Sequence, residues 1–137
     1  MNIKKELTKG SSALLVLSVL ENEEMYGYQI IKEIEKRSED VFSFKEGTLY
    51  PILHAFEEQE YLMSFWRQSE QGRQRKYYRI TDKGRKLLVK SKEEWESYST
   101  AVKKVIKPQT SPVTTWFEVV LWKNEFKNLL QITYPNA

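Results

Sequence analysis

The chain has 137 residues, 40% of them hydrophobic and 30% charged, with a formal net charge of +3, which is the make-up of one folded domain with a small appendage and not of a disordered chain. It contains no cysteine and a single histidine, His54, so disulfides, thiolate metal sites, cysteine nucleophiles and relays of several imidazoles within one chain are excluded. With no Gly-rich phosphate loop and no paired carboxylates set for catalysis, the expectation is a protein that is not an enzyme, without cofactor or metal.

The apolar run ALLVLSVL (13–20) is too short to span a bilayer, and the acidic ENEE that follows offers no small-residue cleavage site. It reads as a first helix over about residues 7 to 21, buried on several sides, in a cytoplasmic protein with no membrane association. A second helix is expected from Tyr26 to about Arg37, with Tyr26, Ile30, Ile31 and Ile34 on one face and Lys32, Glu33, Glu35 and Lys36 on the other. Gly27 near its start would let a neighbouring backbone approach closely. A third helix follows to about Gln59, in which Leu49, Ile52, Leu53 and Phe56 recur at i, i+3, i+4 and i+7. Pro51 has no N–H to donate, so the spacing predicts that this helix starts near Thr48 as N-cap and keeps Pro51 in its first turn.

The period then changes. Residues 62–68 and 75–81 are short segments rich in aromatic and β-branched residues, flanking the polar SEQGRQ (69–74). Tyr78 and Ile80 share one face of the second segment, and Arg75, Tyr77 and Arg79 share the other. Three helices and a hairpin describe a mainly α fold with a β wing: a winged helix-turn-helix over 1–81. Thr81 caps a long helix to about residue 107. Leu88, Ser91, Trp95, Tyr98, Val102 and Val105 recur along it at spacings of 3, 4, 3, 4 and 3, a coiled-coil seam that is weak at Ser91 and Tyr98. Burying its large apolar side chains against a second copy would contribute about 1.5–3 kcal/mol each, so 82–107 is expected to be a dimerisation helix. Residues 108–137 form an aromatic-rich extension with Pro108 and Pro112 at its start and four charges that cancel (Glu118, Lys123, Glu125, Lys127).

A helix that reads a DNA groove presents short polar and aromatic groups on its first exposed turns. Lys45, Thr48, Tyr50, Pro51 and His54 meet that description. Thr48 could equally serve only as a cap, and Tyr50 could pack on the second helix. Arg73, Arg75, Lys76 and Arg79 fall within seven residues, with Arg67 on the facing strand and no acidic residue from 71 to 81. That local imbalance favours a phosphate-binding wing over an ordinary solvated hairpin, with Gly72 letting its tip turn. A winged-helix module that docks on proteins without touching nucleic acid is the alternative.

Three motifs, MYGYQIIKEI (25–34), EGTLYPILHAFEEQEYL (46–62) and RKYYRITDKGRKLL (75–88), together resemble the PadR family of bacterial transcriptional regulators, over residues 7 to 107. The length resembles the short subfamily, in which a single C-terminal helix makes the dimer. The resemblance implies a homodimeric repressor on a pseudo-palindromic operator in double-stranded DNA, for which the residues read above as groove- and phosphate-facing, Lys45, Thr48, Tyr50, Pro51, His54, Gly72, Arg73, Arg75 and Lys76, are the candidate contacts. It also implies release by a small effector, phenolic acids and hydrophobic drugs being the known classes. Paired Trp95 side chains would then stack on a flat aromatic molecule, with Tyr98 and Ser91 as polar partners. The extension from Pro108 departs from that subfamily's pattern.

Overall fold

The computed structural model describes residues 3–108, with side chains from Gly10 onward. The expected aromatic extension from residue 109 lies outside the described residues. The chain divides into two units, Met1–Ser97 and Tyr98–Ala137. In the first, helix α1 (Ile3–Val19) leads through a short turn to strand β1 (Met25–Tyr26) and helix α2 (Gly27–Arg37). Helix α3 (Glu46–Glu58), strands β2 (Leu62–Gln68) and β3 (Gln74–Ile80) and helix α4 (Asp82–Ile106) follow. Of the second unit, the described residues are the last turns of α4 and the two residues after it, Lys107 and Pro108.

The apolar periodicity of each helix delivers one core. Val16, Leu17, Val19 and Leu20 from α1 and its end meet Ile30, Ile31 and Ile34 of α2 and Leu49 and Leu53 of α3. Phe44 anchors the α2–α3 connection in the same cluster, and Leu62, Tyr78 and Ile80 close it from the sheet. The chain leaves α2 through Glu39 and Asp40, both with positive φ (51° and 65°), a conformation that strains any side chain with a Cβ.

The hairpin pairs in register from Leu62↔Ile80 to Gln68↔Gln74, and Tyr78 and Ile80 are buried while Arg79 is exposed, in keeping with strand alternation. Sequence patterning missed β1. Met25 and Tyr26 pair antiparallel with Tyr78 and Tyr77, giving a three-stranded sheet in the order β1-β3-β2. Two residues are too few for a period, so only the docking of α2 reveals them.

Helix α3 starts earlier than Pro51 suggests. Lys45 is the N-cap, with extended backbone (φ −98°, ψ 158°), and its carbonyl accepts from the N–H groups of Thr48 and Leu49, both at 3.0 Å. Thr48 therefore lies inside the first turn and is not the cap. Pro51 sits in the second turn, where its missing N–H costs the bond to the Gly47 carbonyl. Its exposed position makes that loss tolerable, because water can serve the carbonyl.

Thr81 does cap α4: its Oγ1 accepts from the Gly84 N–H at 3.0 Å. The same hydroxyl donates to the Glu60 carbonyl at 2.7 Å and lies 3.0 Å from that of Tyr61, tying the start of α4 to the turn that follows α3. Leu88 is 2% exposed and belongs to the domain core, which removes it from the expected dimer seam. Beyond it the helix face opens: Ser91 is half-buried, while Trp95, Tyr98, Val102 and Val105 are exposed. No described helix is long and apolar enough to cross a membrane.

Candidate nucleic-acid interface

Helix α3 is two-sided. Leu49 and Leu53 are fully buried (0% exposed), and Lys45, Thr48, Tyr50, Pro51 and His54 all lie on the exposed side. The apolar stripe seals one face into the core, so the first two turns are left to present an ammonium, a hydroxyl, a phenol, a proline ring and an imidazole to solvent. Tyr50 is the half-way case. Its ring leans on the first residue of α2, and a Cβ on Gly27 would lie 2.6 Å from the Tyr50 hydroxyl and 3.0 Å from its Cζ. The space that Gly27 leaves is filled by this side chain and not by a neighbouring backbone.

Between α3, the start of α2 and the wing runs a cleft of about 360 Å³, lined among others by Tyr50, His54, Trp66, Arg75 and Lys76. It brings together four of the residues singled out from the sequence. Trp66 pairs with Lys76 across the hairpin and stands 66% exposed at the cleft. No local pattern marks Trp66 as a surface residue of this cleft, although alternation with Ser64 and Gln68 puts it on the side of Lys76.

The basic cluster of the wing is dispersed by strand alternation, and most of its members are held. Arg75 donates to the Tyr26 hydroxyl at 2.8 Å and lies over that ring at 4.4 Å. Lys76 points the opposite way and donates to Glu57 at 3.2 Å. Arg67 and Arg79 share Glu24, at 2.9 and 3.5 Å. Arg73 is different. It sits exposed at the tip, where no hydrogen bond or ion pair engages its guanidinium among the described residues. Gly72 (φ 82°) makes that tip possible: its N–H reaches the Ser69 carbonyl at 2.9 Å and the Arg73 N–H reaches the Ser69 hydroxyl at 3.0 Å. Glu24 and Glu57, which decide which cations are engaged, were not legible as partners because they come from other elements.

Glu57 ties α3 to the wing. It accepts from the Ser64 hydroxyl and from Lys76, and those bonds, the Ser64 bond foremost, outweigh partial burial and hold its carboxyl below its ordinary value of 4.5. Burial pulls against the Lys76 charge, but the bond to Glu57 and the contact with Tyr78 prevail, and its pKa lies above 10.5. A carboxylate with a depressed folded-state pKa adds stability above the unfolded value, and that stability is lost as pH falls through the folded value. Glu57→Gln keeps a polar group for Ser64 and removes the charge. Its urea midpoint should therefore fall below wild type at neutral pH and converge with it only once the pH has fallen below the lowered folded-state pKa of Glu57, where both side chains are uncharged. A gap that persists at acid pH would assign the effect to packing.

Among the described residues, no group of three or more His, Asp or Glu side chains could hold a metal ion. What the surface offers is donors and an ammonium on the exposed side of one helix, and a basic tip on the wing. That suits a polyanion with readable edges.

The comparisons agree. Residues 16–90 match the model of the Transcriptional regulator PadR-like family. A transcriptional regulator from Clostridium thermocellum is 31% identical, with a TM-score of 0.69 over 74% of this chain and 99% of that one. A PadR-like transcriptional regulator from Bacillus cereus is also 31% identical, with a TM-score of 0.67 over 76% and 99%. The transcriptional regulator YqjI of Escherichia coli is 28% identical over 94 residues, 69% of this chain but 44% of that protein's length. A winged-helix fold matched by the family model over more than half of the chain's length makes this chain a member of the PadR-like family of transcriptional regulators, which bind DNA and are not enzymes.

Proposed function

We propose that the chain is a homodimeric repressor that reads a pseudo-palindromic operator with α3 and holds its phosphate backbone with the wing. The observation that carries this is the two-sidedness of α3: Leu49 and Leu53 are sealed in the core while Lys45, Thr48, Tyr50, Pro51 and His54 face outward together. Arg73 at the wing tip supplies a cation for sequence-independent contact, and Lys45 supplies another at the start of α3. Dimerisation uses the exposed apolar residues of α4 beyond Leu88. Trp95 (48% exposed) is the largest of them, and Val105 is 80% exposed. A flat aromatic effector stacking on Trp95, with Ser91 nearby on the same helix, would act through that interface and release DNA.

Selection of bound duplexes from random-sequence DNA by the purified chain tests this. Enrichment of an inverted repeat is expected, with half-sites about 10–10.5 base pairs apart centre to centre, or a multiple of that spacing. The enriched duplex should bind a dimer in sedimentation and lose affinity steeply with added salt. A chain that sediments as a single subunit and enriches no sequence at low salt would return the surface to the protein-docking alternative.

A further inference from the structure

Gly27 is buried at the first position of α2, where local helix chemistry favours almost any other non-proline residue. It makes no turn and needs no positive φ. What it supplies is room. The Tyr50 ring occupies the place a side chain would take, with its hydroxyl, Cζ and Cε1 at 2.6, 3.0 and 3.4 Å from where a Cβ would stand. Tyr50 itself is anchored on α3 between buried Leu49 and exposed Pro51, and 37% of it remains exposed.

From these contacts we propose that Gly27 is a positioning residue for DNA recognition: it forms the seat on α2 that orients the Tyr50 ring, so that its exposed edge stays at the mouth of the cleft between α3 and the wing. This rests on the reading of α3 as the DNA-facing helix. A methyl at position 27 would press on the Tyr50 hydroxyl at 2.6 Å and on the ring carbon Cζ at 3.0 Å, so the free end of this side chain has to leave its place against α2. With its Cα fixed on α3, the ring can only swing off α2, toward the wing or into solvent. Either movement changes what the first exposed turns of α3 offer to a groove without removing any DNA-contacting atom.

A double-mutant cycle tests the assignment, with the duplex enriched by wild-type selection and a scrambled duplex of the same composition as probes. Gly27→Ala should weaken binding to the enriched duplex about tenfold or more and leave the scrambled one nearly unchanged, as expected when one base-reading contact is lost. Tyr50→Ala should show a similar loss, and the double variant should bind no worse than Tyr50→Ala, because no ring remains for the methyl to displace. Losses that multiply in the double variant would overturn the proposal. So would an unchanged Gly27→Ala beside a weakened Tyr50→Ala. If Tyr50→Ala binds both duplexes like wild type, the DNA-facing role of Tyr50 itself fails. Should Gly27→Ala not fold, recovery of folding in the double variant supports the seat, and continued failure refutes it.

Discussion

Gly84→Ala is expected to lower the stability of the folded domain by about 2–3 kcal/mol, although alanine is the better helix former by about 1 kcal/mol. Gly84 lies buried in the first turn of α4, and a Cβ there would run into the Tyr61 carbonyl oxygen and come within 2.9 Å of the Ile80 side chain. The obstacle is backbone, so it cannot rotate away. That carbonyl also accepts from the Thr81 N–H at 3.0 Å and lies 3.0 Å from the Thr81 hydroxyl. Pushing it aside weakens bonds worth about 1 kcal/mol each and misaligns the cap of α4. For a domain of this size the melting temperature should drop by about 10–20 °C. Urea titration checks the cause: the midpoint should fall with an unchanged slope, because the damage is local strain and not a looser native state. A variant as stable as wild type would mean that α4 can slide along its axis, and the close packing of its first turn would be wrong.

Arg73→Ala should produce the largest loss of DNA affinity among the single wing variants, and the loss should be the same on every sequence. Each phosphate contact removed lowers the slope of log affinity against log salt by about 0.9, so a dimer with two wings should lose about 1.8. At 0.1 M salt this alone corresponds to an affinity reduced about 60-fold. Arg75→Ala is the control. Its guanidinium is committed to the Tyr26 hydroxyl and ring, so its removal should change the slope by less than half as much. Four cations in seven residues look equivalent in one dimension, whereas engagement by Tyr26, Glu57 and Glu24 separates them. Equal slopes for the two variants would show that Arg75 leaves Tyr26 when DNA arrives.

Helix α3 shows how far local pattern reaches. The i, i+3, i+4, i+7 apolar set found its buried face, and the exposed set opposite it followed without any knowledge of the partner elements. Pro51 points to a later helix start than the true one, because an exposed second-turn position tolerates proline as well as the first turn does. Leu88 fits a heptad seam as well as it fits a core. Spacing alone does not say how far the domain reaches along α4.

Periodicities near 3.6 and 2, the turn residues and the Thr81 cap are written in neighbouring residues, so the sequence by itself determined the order and type of all the larger elements and which face of each is apolar. The cation partners, the Tyr50 seat on Gly27, the collision course of Gly84 with Tyr61 and the two-residue strand β1 are contacts between residues far apart in the chain. Only the tertiary structure decided those, because they depend on how elements distant in the chain dock on one another, which no local pattern encodes.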